Sequence, residues 1–272
     1  MRADLHLHST VSDGRVPPAD VAQAAAEAGL TLVALADHDS TAGVEAATAA
    51  GAERGLRVIS AIEISASHDG REQHILGYGV ERTERLAAFE RAAADRRRAR
   101  MREMLERLRP AGIDISLSEM EALAGEGNVV LGRAHLGRAL VEREHVKSMN
   151  EAFERYLGTG SVGYVASSLP TVAEAVENIG EAGGISVWAH PTVRDFGHYL
   201  PDFGEMGIAG VECWRPRVPP ARAEEMARTA KRWGMVPTGG SDWHGQPWFT
   251  LGEFYVPGEV LTPFLERLEG RG

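Results

Sequence analysis

The chain has a single cysteine, Cys213, among its 272 residues. A lone thiol forms no internal disulfide, and a cysteine-rich structural zinc site is excluded with it. Cys213 lies in the apolar run Ile208 to Trp214, the setting of a small core residue. No hydrophobic run approaches the roughly 20 residues that a membrane span needs, so no membrane partner is expected. Positive charge is also scarce: 29 Lys and Arg stand against 39 Asp and Glu, for a net charge of −10. That balance argues against long nucleic acid or an anionic membrane surface as a partner. A small anion remains acceptable, because cations bound at a site reverse its local sign. Internal repeats and low-complexity tracts are absent. The first strand-like segment begins at Arg2, which leaves no room for a signal peptide, and the cytoplasm is the expected location.

The composition that remains, 43% hydrophobic and 25% charged, is that of a soluble globular protein. Its length suits one large α/β barrel or two ordinary domains.

Within Met1 to Gly14, Ala3, Leu5 and Leu7 alternate with Asp4, His6 and His8, the period of a short strand. Residues two apart on a strand share a face. His6 and His8 therefore present two imidazoles side by side, a spacing suited to chelating one metal ion. The polar turn Ser9 to Gly14 carries Asp13 beyond the strand end. The device then recurs. Leu30 to Ala36 ends in Asp37-His38-Asp39, and Leu56 to Ile62 ends in Glu63. Gln73 to Val80 carries His74, Gly184 to Ala189 ends in His190-Pro191, and Met235 to Gly240 ends in Ser241-Asp242-Trp243-His244. Strand ends are where a parallel α/β barrel collects its active-site residues.

Helical patterns separate these runs. Pro17-Pro18 precedes a helix over Ala19 to Ala28, and Ser40 or Thr41 caps a second helix reaching Glu53. With strands at Arg57 to Ile62 and Gln73 to Val80, the βαβα rhythm implies a parallel sheet. The rhythm breaks after Thr83. A long amphipathic helix is predicted over Glu84 to Leu108, then shorter ones over Ser118 to Ala124, Arg133 to Glu144 and Ser148 to Tyr156. Ser118 and Glu121 read as a capping box. The rhythm resumes with a helix at Val172 to Ala182, strands at Ile185 to Ala189 and Ile208 to Trp214, a helix at Pro220 to Trp233 and a strand at Met235 to Gly239. Phe249 to Val256 reads as a last alternating strand before a C-terminal helix, Glu259 to Glu269. The expected organisation is an α/β barrel formed by residues 1–83 and 161–272, with a helical insertion, 84–160, over its C-terminal mouth.

The segments HLHSTVSDG, ADHDS, EIS, HILG, AHP and GGSDWHG match, in order, the motifs of the PHP (polymerase and histidinol phosphatase) phosphoesterases. The resemblance spans Arg2 to Gly245. It is strongest to the branch of bacterial 3',5'-nucleoside bisphosphate phosphatases and 5'-to-3' RNA exonucleases, through LGRAH (Leu131 to His135), Ala139 to Gly160 and Thr171 to Gly184. It implies a distorted (β/α)7, TIM-like barrel and a metal-dependent phosphatase or phosphodiesterase. Nine residues would ligate metal: His6, His8, Asp13, His38, Glu63, His74, His190, Asp242 and His244. Six imidazoles and three carboxylates exceed what one ion takes and suit two or three. By resemblance, His6, His8 and Asp242 hold one ion. His74 and His190 hold a second that Glu63 bridges to the first, and Asp13, His38 and His244 hold a third. The mixed nitrogen and oxygen set fits Mn²⁺, Fe²⁺ or Zn²⁺ and disfavours Ca²⁺.

Such a cluster supplies a bridging hydroxide as nucleophile and offsets the charge that develops on the phosphoryl oxygens. Asp13 contributes through the third ion, and His190, His244 or a metal-bound water would protonate the leaving oxygen. Asp37 would orient the His38 ring. The expected substrate is a small phosphorylated metabolite, foremost a nucleotide such as a 3',5'-nucleoside bisphosphate. Short RNA, a cyclic phosphate and another pathway metabolite are the alternatives. A noncatalytic metal-binding module is the reading outside enzymology, and nine filled positions speak against it. Arg133 and His135 match an arginine–histidine pair that reaches over the site in this family, and Arg100 is a further phosphate contact to consider. The chain departs from its relatives at Ala166-Ser167-Ser168, at Thr192-Val193-Arg194 and at Trp214-Arg215. Trp214 either stacks on a base or fills core, and Arg194, Arg215 or Arg217 would replace a lost phosphate contact.

Overall fold

The computed structural model describes residues 1–125 and 130–270; residues 126–129, within the predicted insertion, and 271–272 lie outside that description. In chain order the elements are β1 (Arg2–Leu7), α1 (Pro18–Glu27), β2 (Leu32–Leu35), α2 (Val44–Ala52), β3 (Arg57–His68), β4 (Arg71–Tyr78), α3 (Glu84–Leu108), α4 (Leu117–Ala124), α5 (Arg133–Glu142), α6 (Met149–Ala152), α7 (Val172–Glu181), β5 (Ile185–Trp188), α8 (Val193–Glu205), β6 (Gly210–Trp214), α9 (Pro220–Arg232), β7 (Val236–Gly239), β8 (Val256–Pro257) and α10 (Gly258–Glu269).

One eight-stranded sheet runs β7-β6-β5-β4-β3-β2-β1-β8. Its two ends meet. Leu7 bridges Trp243, just past β7, where His8 N–H donates to the Trp243 carbonyl (2.9 Å). At the other end of the seam, β8 pairs antiparallel with Arg2 and Ala3 of β1. The result is a nearly closed, TIM-like barrel. Leu5, Leu32, Ala34, Leu76, Tyr78 and Val187 form one buried cluster with Leu261 and Phe264 of α10. A second apolar cluster packs α7, α8 and α9 on β3 to β6, and a third packs α1 and α2 on β1 and β2. A fourth lies wholly within residues 101–165, so the insertion helices have a core of their own.

The sheet is not wholly parallel. β4 runs antiparallel to both β3 and β5. Its hairpin turn is Asp69-Gly70, with φ of 49° and 71°, the pair of left-handed residues that a two-residue hairpin favours. This topology matters for the site. Because β4 runs backwards, its first residues lie at the far end of β3, so His74 faces Ser65, two residues past Glu63.

Other local differences have physical causes. The Thr41 amide and hydroxyl both donate to Glu90 (2.6 and 2.5 Å), so Gly43 is left as the residue preceding α2. The capping box of α4 uses Ser116 and Glu119 rather than Ser118 and Glu121. Helix α8 has no counterpart in the sequence reading, since Gly197, Pro201 and Gly204 interrupt its pattern; the Thr192 hydroxyl caps it by accepting from Asp195 N–H (3.1 Å). The predicted strand over Phe249 to Val256 shrinks to Val256–Pro257. Gly252, at φ 85°, turns the chain against Ala28 and ends the extended run.

A candidate metal centre at the strand ends

The fold brings all nine predicted ligands into one cluster. Their donor atoms form overlapping groups, each within 4.8 Å: His8, Asp13, His38 and His244; His6, Glu63 and His190; His6, His8 and Asp242; His38, Glu63 and His74. Glu63, fully buried on β3, is the hub. Its Oε1 lies 3.3 Å from His6 Nε2 and 3.0 Å from both His74 Nδ1 and His190 Nε2. Its Oε2 lies 2.8 Å from His38 Nδ1 and 3.4 Å from His8 Nε2. Asp242 Oδ1 approaches His8 Nε2 (3.2 Å) and His6 Nε2 (3.6 Å), and Asp13 Oδ1 approaches His244 Nε2 (3.1 Å) and His38 Nε2 (3.8 Å).

These contacts do not satisfy the atoms that make them. His6 Nε2, His8 Nε2, Asp13 Oδ1, His38 Nδ1 and Glu63 Oε2 are buried and have no hydrogen-bond partner. Buried polar atoms are rarely left in that state, since each costs on the order of 1–3 kcal/mol. A set of imidazole nitrogens and carboxylate oxygens aimed at common points is the donor chemistry of Mn²⁺, Fe²⁺ or Zn²⁺, and the residues present fit such ions.

The tautomers agree with that fit. His6 Nδ1 faces Glu212 Oε1 at 3.1 Å, and His8 Nδ1 faces Ser12 Oγ at 3.4 Å. A proton on Nδ1 in each ring leaves the Nε2 lone pair turned into the cluster. His244 Nδ1 faces the Asp242 carbonyl at 2.8 Å, which sets its ring the same way. Outer partners of this kind fix ring orientation around metal ions.

The electrostatics are those of close-packed opposing charges. Burial pushes the Glu63 carboxyl up, but His38, His6 and His74 together hold it well below the usual range. Burial and the charge on His244 press His8 down to about 3. Burial opposes protonation of His74 and His244 too, but Glu63 on one, and Asp13 and Asp242 on the other, raise each to about 10.

Backbone strain concentrates here as well. His190 (φ 29°), Asp242 (φ 56°) and Asp39 (φ 50°) occupy positive φ without being glycine, a feature that clusters at functional sites. Gly240 is needed beside them: a Cβ there would meet the His6 Cβ at 2.3 Å.

Three carboxylates that support the cluster, two of them (Asp4 and Glu212) buried, were not picked out from the sequence. Glu212, an acid inside the run Gly210–Trp214, contacts His6 through Oε1 and accepts from His190 N–H through Oε2 (2.8 Å). Asp4 Oδ1 accepts from Ser241 N–H (2.8 Å) and His6 N–H (3.3 Å), tying the loop after β7 to β1; burial pushes its carboxyl up to about 7. Glu72 stands between His74 Nε2 (3.5 Å) and Arg133 Nη2 (3.4 Å). Its hydrogen bond with His74 is the main cause that holds it at about 2. A charged residue inside an apolar run was the available signal for Asp4 and Glu212. Asp37 does not orient His38. It accepts from Ser9 N–H (2.8 Å), Ser9 Oγ and Ser12 Oγ (2.6 Å each), and so braces the turn that carries Asp13.

Insertion residues reach the same end of the barrel. Arg97 donates to Asp39 Oδ2 (2.7 Å) and Ser65 Oγ (2.8 Å), and Arg138 donates to the Asp13 carbonyl (2.8 Å). His135 is buried and its Nδ1 accepts from Gly132 N–H (3.1 Å); burial lowers it to about 4. Arg100 donates to the Val165 carbonyl (2.9 Å). Arg215 donates to the Pro191 carbonyl (2.8 Å) and lines an open cavity of about 350 Å³ with His190, Arg217 and Asp242. Trp214 packs on the barrel's apolar clusters, and Arg194 is exposed on α8; neither lines that cavity.

The comparisons with known proteins agree with this geometry. The family model for the PHP domain matches residues 4–162. This chain belongs to the PHP domain family. Three similar proteins cover nearly its whole length. A 5'-3' exoribonuclease of Haemophilus influenzae is 34% identical over 271 residues, 97% of this chain and 98% of that protein. A phosphoribosyl 1,2-cyclic phosphate 1,2-diphosphodiesterase of Eggerthella lenta is 36% identical over 250 residues, 90% and 95%. A 3',5'-nucleoside bisphosphate phosphatase of Chromobacterium violaceum is 33% identical over 276 residues, 98% and 96%. All three of these PHP relatives are named for cleaving phosphate esters. Among the described residues, no helix is long and apolar enough to cross a membrane.

Proposed function

We propose that this PHP protein is a metal-dependent phosphoesterase that hydrolyses a phosphate monoester of a small nucleotide, such as a 3',5'-nucleoside bisphosphate. The observation that carries the reading is the set of five buried ligand atoms, from His6, His8, Asp13, His38 and Glu63, that lack a hydrogen-bond partner. His6, His8 and Asp242 would hold one ion, His74, His190 and Glu63 a second, and Asp13, His38 and His244 a third. Divalent ions bound there lower the pKa of water and offset the charge on phosphoryl oxygens.

The chain's own residues do the rest. Glu212 keeps the His6 proton on Nδ1 and holds the strained His190 backbone in place. Arg133 and Arg215 present guanidinium groups near the cluster, suited to phosphate. Turning Arg133 toward a substrate phosphate means releasing Glu72, a weak and partly exposed partner. Of the two candidate acids, His190 would supply a proton to the leaving oxygen, because the His244 Nδ1 faces the Asp242 carbonyl and its Nε2 faces the cluster. We assign the insertion, residues 84–160, the role of a lid, because Arg97, Arg133 and Arg138 all extend from it to barrel residues at the strand-end face.

The test is phosphate release by the Mn²⁺-loaded protein from a panel of nucleoside bisphosphates, mononucleotides, cyclic phosphates and short oligonucleotides. Release from a bisphosphate with a single ester cleaved is expected. No turnover of any phosphate ester would reject the reading, and turnover of diesters alone would replace the monoester with one of the relatives' chemistries.

A further inference from the structure

Helix α3 belongs to two cores. Leu86, near its start, packs into the barrel cluster with residues of α7, α8 and α9, while Met101, Met104, Leu105 and Leu108 belong to the insertion's own cluster. Between them the helix turns two charged side chains toward the barrel. Glu90 and Arg97 are seven residues apart, about two turns, and so share a helix face. Glu90 is buried, and its Oε1 accepts from the Thr41 amide and hydroxyl. The Arg97 guanidinium donates through Nε to Asp39 Oδ2 (2.7 Å) and through Nη2 to Ser65 Oγ (2.8 Å). Burial opposes the charge on Arg97, and Asp39 outweighs it.

Both grips fall on the loop that follows β2, and that loop carries His38. Asp39, next to His38, is held at three points. Its N–H donates to the Glu63 carbonyl (2.8 Å), its Oδ1 accepts from Ser65 N–H (2.9 Å), and its Oδ2 takes Arg97. It sits at φ 50°, in the left-handed region. A residue with a side chain persists there only where its surroundings hold it.

The His38 ring lacks the support that other rings of the cluster have. His6, His8 and His74 each turn one nitrogen to an outer partner, Glu212, Ser12 and Glu72. Both His38 nitrogens face candidate ligands instead, Nδ1 toward Glu63 Oε2 (2.8 Å) and Nε2 toward Asp13 Oδ1 (3.8 Å). With both nitrogens turned inward, the aim of this imidazole depends on its main chain.

We propose that Arg97 is a positioning residue for His38: its guanidinium fork locks Asp39 in the left-handed turn, and this fixes the backbone that points the imidazole at its ion. Glu90 steadies the same loop two residues further on, at Thr41. Helix α3 is then the strut of one metal position as well as the root of the insertion. The inference rests on the metal-centre reading.

The experiment measures metal content by inductively coupled plasma mass spectrometry and Mn²⁺ affinity by isothermal titration, on the full chain. Arg97→Ala should carry one ion fewer than the wild type, or hold its weakest ion on the order of 10-fold less tightly, with the other ions unchanged. Arg97→Lys covers the case in which Arg97→Ala does not fold. It keeps a cation beside Asp39 but lacks the fork that reaches Ser65 as well, so the same ion should be weakened to a smaller degree. Arg85→Gln is the control: it loosens the same helix at Glu177 and Glu181 of α7, away from the His38 loop, and should bind metal as the wild type does. Wild-type metal binding in a folded Arg97 variant overturns the proposal. So does loss of every ion at once, an equal loss in Arg85→Gln, or failure of Arg97→Lys to fold, since each would make Arg97 a residue of general stability. A wild type that binds no ion rejects the metal centre and the proposal with it, whereas a metal-binding wild type with unchanged variants rejects the proposal alone.

Discussion

His6 and Glu212 form a buried pair: the imidazole Nδ1 lies 3.1 Å from the carboxylate Oε1, and neither side chain is exposed. The second oxygen of Glu212 accepts from the His190 N–H at 2.8 Å. One carboxylate on β6 thereby sets the ring of a candidate ligand on β1 and the strained backbone of another after β5. Partners of this kind typically alter metal affinity 10- to 100-fold when removed. Glu212→Gln, which keeps the shape and can still accept from His190, should weaken metal binding within that range while circular dichroism stays unchanged. Isothermal titration with Mn²⁺ checks it; unchanged affinity would reduce Glu212 to a packing residue.

Asp13 and Arg133 should separate kinetically. Asp13 is acceptor-only when ionised, and burial, which opposes its charge, is outweighed by His244 and His38, so it stays well below the usual carboxylate range. As a ligand it acts on charge that develops during the reaction, so Asp13→Ala should lower metal content and remove most of kcat. Arg133 would bind a phosphate present in both substrate and transition state. Arg133→Ala should therefore raise KM more than it lowers kcat. Steady-state kinetics with metal analysis of both variants settles the division; full metal content and near-normal kcat in Asp13→Ala would refute it.

Tyr78 ties β4 to β1 and α10 within one core cluster. Its hydroxyl donates to the Leu5 carbonyl at 2.8 Å, and its ring meets Phe264 edge-on at 5.0 Å. Tyr78→Phe keeps the ring and leaves a buried carbonyl without this donor, at a cost of about 1–3 kcal/mol. Denaturant unfolding should show that loss as a lower midpoint with an unchanged slope.

Cys213 should be inert. Its side chain is fully buried on β6, and burial, followed by the charge on Glu212, pushes its thiol well above the ordinary value. A thiol-specific chromogenic reagent should label no cysteine in the native protein and one in denaturant. Rapid native labelling would mean that β6 opens locally.

The sequence was legible where spacing and chemistry coincide. His6 and His8 two apart on an alternating strand, and acids or imidazoles at the ends of apolar runs, were enough to name all nine residues that the fold gathers around Glu63. The barrel and the full extent of α3 were legible for the same reason, since their periodicities are strong. The direction of β4 was not. Its Asp69-Gly70 turn carried a hairpin signal, but the surrounding βαβα rhythm argued for a parallel strand. Helix α8 was hidden by Pro201 and two glycines. Trp214 and Arg194 were proposed from motif positions near the mouth, and only the tertiary structure shows one packed on the core and the other exposed on a helix. Asp4 and Glu212 stood out as acids inside apolar runs, but their partners Ser241 and His6 lie more than two hundred residues away, and Glu72, two residues from His74, meets Arg133 only in the folded chain.

The central claim is that the nine residues around Glu63 hold metal ions. Inductively coupled plasma mass spectrometry on protein reconstituted with Mn²⁺, Fe²⁺ or Zn²⁺ and freed of excess ion tests it most directly. Two to three ions per chain are predicted, falling in Asp13→Ala. No bound ion under any of the three reconstitutions would contradict the claim.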